Sequence, residues 1–186
     1  DSAAEADVAI VFADAPANGT GYDANDARNG GNGYMPISLQ YRPYTAEYAR
    51  EVSLAGGDPL ENFTNRSYKG KSVTTSNESQ LDMILKTREE MGSKPVIVQI
   101  DVNRPMVMNE FEGAVDAILV GFNVQKQAVL DIISGAVEPS GLMPMQMPAD
   151  MRTVEEQLED VTRDMRCHVD SEGNAYDFAF GMNWSG

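Results

Sequence analysis

Three short apolar runs constrain this chain more than anything else in it. Asp7-Val-Ala-Ile-Val-Phe-Ala13, Pro95-Val-Ile-Val-Gln-Ile-Asp101 and Asp116-Ala-Ile-Leu-Val-Gly-Phe122 are nearly continuous rather than alternating, and polar or turn-forming residues bound each of them. A strand with one wet face alternates in polarity, whereas an uninterrupted run suits a strand buried on both faces, as in a parallel sheet. Between the first two runs, Leu81, Ile84, Leu85 and Met91 follow helical spacing up to Gly92, and Asn77 with Gln80 stands at the start as a capping pair. Beyond the third run, Val124 to Ala136 places Val129, Ile132, Ile133 and Ala136 on one helical face, with Gly135 near its end. Strand, helix, strand, turn, strand, helix, strand is the order of an α/β three-layer sandwich, a mainly parallel open sheet with helices on both faces.

The last of these strands is the least regular. In Glu138-Pro-Ser-Gly-Leu-Met-Pro-Met-Gln-Met-Pro148, Pro139 and Gly141 stop the helix, and Pro144 and Pro148 lack the N–H that a central strand needs. The segment therefore predicts a short edge strand or extended connection that turns the chain from the last helix onto the sheet edge. The tail adds a short helix over Thr153 to Leu158 and an aromatic end, Tyr176 to Gly186, in which Phe178, Phe180 and Trp184 read as core or interface packing. At the other end, Asp1 to Asp7 reads as the last turns of a helix entering the first strand. It lacks an initiator Met and the features of a signal peptide, so a further N-terminal part is expected. A length of 186 residues suits one domain.

Between the first strand and the first helix the chain changes character. Asp14 to Pro36 mixes Gly19, Gly21, Gly30, Gly31 and Gly33 with Asn and Asp, which makes a long surface loop. After it, Ile37 to Tyr41 predicts a short strand, Thr45 to Ser53 a short helix, Ala55 to Pro59 a turn, and Pro105 to Phe111 a connection with a brief helix through Asn109 and Glu112. Tyr34, Tyr41, Arg42, Tyr44, Tyr48, Arg50, Arg66 and Tyr68 crowd this region. Aromatic faces beside planar polar groups suit sugar rings and protein interfaces equally well.

Charge excludes several classes. With 29 acidic and 14 basic residues the chain carries −15, which repels nucleic-acid phosphates and anionic membrane surfaces, so neither is expected as a partner. No apolar run approaches the roughly 20 residues that span a bilayer. Cys167 is the lone cysteine and leans the chain toward a reducing, cytoplasmic compartment. Asn18-Gly-Thr-Gly-Tyr22 is not a dinucleotide fingerprint, no His/Cys set has zinc spacing, and Asp14, Asp23 and Asp26 are too loose for calcium, so no cofactor or metal is expected. His168 beside Cys167 reads as incidental rather than as a nucleophile with its base. Paired carboxylates stay open, because retaining glycoside hydrolysis needs an acid/base and a nucleophile held about 5 Å apart.

Four segments carry a resemblance. Lys94 to Met108, Val115 to Leu119, Ala128 to Pro148 with its Pro139-Ser-Gly-Leu-Met-Pro144, and Tyr176 to Trp184 with Phe178-Ala-Phe-Gly181 resemble the C-terminal α/β sandwich domain of glycoside hydrolase family 3. The likeness runs along residues 7–15 and 76–186, and the Pro-Ser-Gly-x-x-Pro element is its most specific part. It implies one domain over 1–186 with a long insert at 34–75. It also implies the second domain of an exo-acting β-glycosidase, a β-glucosidase in the first instance, that releases terminal β-linked sugars with retention. The catalytic Asp nucleophile would come from an N-terminal barrel domain of the same protein, so the isolated chain is expected to be inactive. Thr20, Tyr22 and Arg42 are the implied sugar contacts.

Two departures from the family pattern bear on the chemistry. Family β-glucosidases commonly read Ser-Gly-Glu-Gly-Tyr-Asp after the first strand, where this chain reads Asn18-Gly-Thr-Gly-Tyr-Asp23, so Thr20 replaces the acid/base Glu. A hydroxyl cannot usefully protonate a leaving glycoside oxygen. The replacement candidates are Asp23 and Asp26 in the same loop and Glu47, whose Pro43-Tyr-Thr-Ala-Glu47 echoes a Pro-Tyr-x-x-Glu pattern. Phe122-Asn-Val-Gln-Lys126 also replaces a Gly-rich, Gln-Glu turn. The competing reading is a non-catalytic sugar-contact or assembly domain with the insert as its interface, and a homodimer is compatible with either.

Overall fold

A computed structural model describes residues 2–52, 60, 62, 64–158 and 161–185. In chain order the elements are β1 (Ala9–Asp14), α1 (Ala24–Arg28), β2 (Tyr44–Thr45), β3 (Ser72–Val73), α2 (Glu78–Met91), β4 (Val96–Asp101), a single 3-10 turn (Glu112–Ala114), β5 (Ala117–Gly121), α3 (Lys126–Ile133) and α4 (Met151–Glu156). The three apolar runs form one parallel sheet in the order β1-β4-β5, with Val11 beside Val98 and Val98 beside Ile118.

Alternation along the strands sorts the side chains into two layers. Val11, Ala13, Val98 and Ile100 point to the face that α2 covers with Leu81 and Ile84, and Val96, Val98, Ile100 and Ile84 are all 0% exposed. Burial of each such side chain contributes about 1.5–3 kcal/mol, which makes this layer the main support of the fold. Phe12, Gln99 and Leu119 point the other way, where Lys126 at the start of α3 sets its ammonium 5.3 Å from the Phe12 ring centroid. Helices thus lie on both sides of a parallel sheet, as the element order predicts.

Several local expectations are corrected. The amides of Asn77 and Gln80 do not cap α2; they hold down the loop after β1. The Asn77 Oδ1 accepts the Ala17 N–H at 2.8 Å, and the Gln80 Oε1 accepts the Asp14 N–H at 2.7 Å. Ile37 to Tyr41 is not a strand, because its polar groups turn to side chains: the Glu110 carboxylate accepts the Tyr41 and Arg42 N–H groups at 2.6 and 3.0 Å. The helix expected from Thr45 is replaced by β2, which pairs antiparallel with β3; Ser53 and the turn at 55–59 lie outside the described residues. The brief helix near Asn109 is the 3-10 turn at Glu112–Ala114.

The proline-rich segment is corrected most. It does not join the sheet edge; it pairs with the tail. Met143 donates to the Phe180 carbonyl at 2.7 Å, Met147 to Tyr176 at 2.9 Å, and His168 to Met147 at 2.9 Å. The Met147 side chain is fully buried and joins the sheet's core. Prolines that cannot donate to a sheet ladder can still flank residues that donate to a partner strap. In the tail, Phe180 stacks on Tyr176 at 5.2 Å, while Phe178 and Trp184 are 56% and 60% exposed rather than core. No helix is long and apolar enough to cross a membrane among the described residues.

Candidate functional site

Open α/β sheets present ligands at the C-terminal ends of their strands, and the loop leaving β1 does so here. Its base is fixed by the Asn77 and Gln80 amides and by the Asn18 side chain, which donates to the Ser38 carbonyl at 2.5 Å and accepts the Ser38 N–H at 3.3 Å. Past that anchor, Thr20 is exposed. Gly21 takes φ +81°, and the chain then runs beside its own return. The Gly21 carbonyl accepts Met35 N–H at 2.9 Å, the Gly33 carbonyl accepts Asp23 N–H at 2.8 Å, and Tyr22 bridges Tyr34. The Tyr22 ring is 54% exposed and stands edge-on to Tyr34, 6.1 Å between centroids, while the Arg66 guanidinium lies 6.0 Å from the Tyr34 ring.

The loop's two carboxylates are committed to its shape. Asp23 is the N-cap of α1 and accepts the Asn25 N–H at 2.8 Å. Asp26 accepts the Lys71 ammonium at 2.7 Å and the Gly33 N–H at 2.8 Å, and these bonds hold its carboxyl below the usual aspartate value. Lys71 also donates to the Asn32 Oδ1 at 2.5 Å, and Asn32 in turn donates to the Ser67 carbonyl at 2.6 Å. A general acid must hold a proton at working pH, and this clamp disfavours the protonated form of Asp26.

Glu47 is placed differently. Lys71, whose side chain holds Asp26, also accepts the Ala46 N–H on its carbonyl at 2.9 Å, and the Gly70 N–H returns to the Ala46 carbonyl at 2.8 Å. The strap over residues 44–50 is thereby brought alongside the Asp26 loop. Ala46 and Ala49 are buried, Glu47 and Tyr48 exposed, and the Glu47 carboxylate makes no hydrogen bond or ion pair with the described residues. Arg42 does not join this group: its guanidinium pairs with Glu78 at 2.8 Å and Asp82 at 2.7 Å on α2.

Glu155 is the residue that sequence reasoning misses. Within Thr153-Val-Glu-Glu-Gln157 it reads as a solvated face, yet it is 5% exposed, and its Oε2 accepts the Tyr48 N–H at 3.0 Å. Burial raises its pKa above the ordinary glutamate value, against a lowering by the Tyr44 hydroxyl and the Tyr48 N–H. The second oxygen, Oε1, and the Tyr44 hydroxyl are both buried without a well-formed hydrogen bond. The only signal in the sequence is spacing: Met151 and Glu155 lie four apart on one helical face.

Cys167 and His168 do not act on one another. The Cys167 sulfur accepts the Gln146 amide at 3.3 Å, whereas the buried His168 ring places Nε2 3.5 Å from a Glu112 oxygen and packs edge-on to Tyr176. Among the described residues, no three His, Cys, Asp or Glu side chains converge as a metal site.

Comparison with known proteins agrees with this architecture. The model of the glycosyl hydrolase family 3 C-terminal domain matches residues 45–184, which takes in all the elements from β3 onward and leaves β1 and its loop upstream. "Probable beta-glucosidase C" of Aspergillus flavus and its counterpart in Aspergillus oryzae are each 34% identical over 85 residues, 46% of this chain and 13% of the relative. "Beta-glucosidase C" of Emericella nidulans is 33% identical over 93 residues, 50% of this chain and 14% of the relative. The matched stretch is thus about one-seventh of the length of these relatives. No solved structure matches the chain.

Proposed function

The chain belongs to the glycosyl hydrolase family 3 C-terminal domain family, and from that premise we propose that it serves as the sandwich domain of an exo-acting, retaining β-glycosidase, a β-glucosidase. The relatives' names support the substrate class, and the small share of each relative that is matched supports a larger catalytic unit around the domain. In this reading residues 1–186 act as one domain, and a barrel domain of the same protein supplies the nucleophilic Asp. The 34–75 insert carries the acid/base on its strap.

The observation that carries the assignment is the exposed Glu47 carboxylate, without a hydrogen bond or ion pair to the described residues, on a strap whose Ala46 is tied to Lys71, while the carboxylates of the loop that Lys71 also holds are engaged. Protonated Glu47 gives its proton to the leaving glycosidic oxygen while the barrel's carboxylate attacks the anomeric carbon, forming a glycosyl ester. Ionised Glu47 then takes a proton from the water that cleaves that ester. The exposed Tyr22 ring offers a stacking face and the Thr20 hydroxyl a hydrogen bond to the sugar. Asp23, Asp26 and Arg42 shape the loop and fasten the strap to α2.

The test is the full-length protein on aryl β-glucosides, with Asp23, Asp26 and Glu47 each changed to Ala. Glu47→Ala should lower kcat by about 10²–10⁴-fold, the range for loss of a general acid/base, with smaller losses at the aspartates. The isolated chain should give no turnover. Three unchanged rates would favour the non-catalytic sugar-contact or assembly reading.

A further inference from the structure

Glu47 sits between two fixed points. On one side the Ala46 backbone is tied to Gly70 and Lys71 at 2.8 and 2.9 Å; on the other the Tyr48 N–H is tied to the Glu155 carboxylate at 3.0 Å. The first tie is backbone to backbone, so the second is the one that a side chain controls. We propose that Glu155 is a positioning residue that fastens the strap to α4 and thereby fixes where Glu47 projects, an inference that rests on the reading of Glu47 as acid/base.

Three observations support it. Glu155 is buried at 5% exposure while its neighbour Val154 is only half-buried, so the fold places the acid inward in preference to the apolar residue. An ionisable group in that place, with one oxygen lacking a well-formed hydrogen bond, is a poor choice for stability alone. Further contacts seat the strap on the same helix: the Arg152 guanidinium lies 4.6 Å from the Tyr48 ring, and Arg50 donates to the Gln157 carbonyl at 3.3 Å. Helix α4 itself is anchored without Glu155, through Thr153 Oγ1 accepting Arg166 N–H at 2.9 Å and the Asp150 carboxylate pairing with the Arg166 guanidinium at 2.6 Å. Loss of Glu155 should therefore free the Tyr48 N–H and loosen the strap next to Glu47, and leave the helix in place.

The experiment compares Glu155→Ala and Glu155→Gln in the full-length protein by kcat and KM on an aryl β-glucoside, and by hydrogen exchange of the Tyr48 amide. Glutamine keeps an oxygen that can accept the Tyr48 N–H. Glu155→Ala should lower kcat about tenfold or more, as expected for a displaced catalytic group, with KM within about twofold and faster Tyr48 exchange. Glu155→Gln should hold kcat within about threefold with Tyr48 still protected. Faster Tyr48 exchange in Glu155→Ala at unchanged kcat would overturn the proposal. A large loss of kcat in Glu155→Gln with Tyr48 still protected would also overturn it, and that arm decides alone if the alanine variant does not fold. Should Glu47→Ala prove fully active, the reading of Glu47 fails, while the Tyr48 exchange still reports whether Glu155 holds the strap.

Discussion

The Lys71 ammonium stands 2.7 Å from the Asp26 carboxylate while the Lys71 carbonyl accepts the Ala46 N–H at 2.9 Å. Lys71, the residue just before β3, thus ties the loop after the first strand to the strap that carries Glu47. The loop has little apolar area of its own to bury, so its shape depends on such polar ties. Lys71→Met should retain the β2–β3 pairing, loosen the loop, and raise amide exchange at Gly33 and Asp23 well before the core opens.

Asp26 makes part of the stability depend on acid. Its pKa is lowered from 3.8 by Lys71 first and then by the Gly33 N–H. A depressed folded-state pKa means that the stabilisation is complete above the ordinary value and is lost as pH falls through the folded one. Thermal midpoints followed from about pH 6 to about pH 3 should drop less steeply for Asp26→Asn than for the parent.

Glu155 has the opposite sign. Burial raises its pKa above 4.5, so its folded state binds more protons than the unfolded chain, and stability falls as pH rises through the raised value. Glu155→Gln removes that penalty. Its midpoint should equal or exceed the parent's at about pH 7, and the difference should shrink toward about pH 4.

Gly33 is irreplaceable for two reasons. Its φ is +80°, and a Cβ there would overlap the Tyr22 ring. Its N–H also serves Asp26 and its carbonyl serves Asp23. Gly33→Ala should cost about 1–3 kcal/mol in urea unfolding, the range for strain at a left-handed position, and should displace the Tyr22 ring.

Met147 tests the corrected course of the proline-rich segment. It is 0% exposed, whereas Met182 is 47% exposed. Met147→Ala should lose about 2–5 kcal/mol and Met182→Ala less than about 0.5 kcal/mol. Equal effects would contradict the packing described.

The sheet and its helices were legible because their signals are long and redundant. Val96, Val98 and Ile100 sit in an unbroken apolar run, and Leu81 and Ile84 repeat at helical spacing. The strap was not legible: β2 and β3 are two residues each, and what orders them is partners far along the chain, Lys71 for Ala46 and Glu155 for Tyr48. Asn77 and Gln80 mislead for a related reason. Their spacing fits a cap, but amides that could serve a helix end serve the Asp14 and Ala17 N–H groups instead. Of the site, the loop and Glu47 could be nominated from motif likeness. That Asp26 is engaged and Glu47 free depends on three-dimensional pairing that no local pattern encodes.

Azide rescue decides whether Glu47 is the acid/base of a retaining β-glycosidase. Full-length Glu47→Ala would be assayed on an aryl β-glucoside with a good leaving group, with and without sodium azide. Azide needs no general base, so the variant should regain much of its lost rate and release the β-glycosyl azide. A Glu47→Ala enzyme as fast as the parent, or a slow one that azide does not accelerate and that forms no glycosyl azide, would show that Glu47 is not the acid/base.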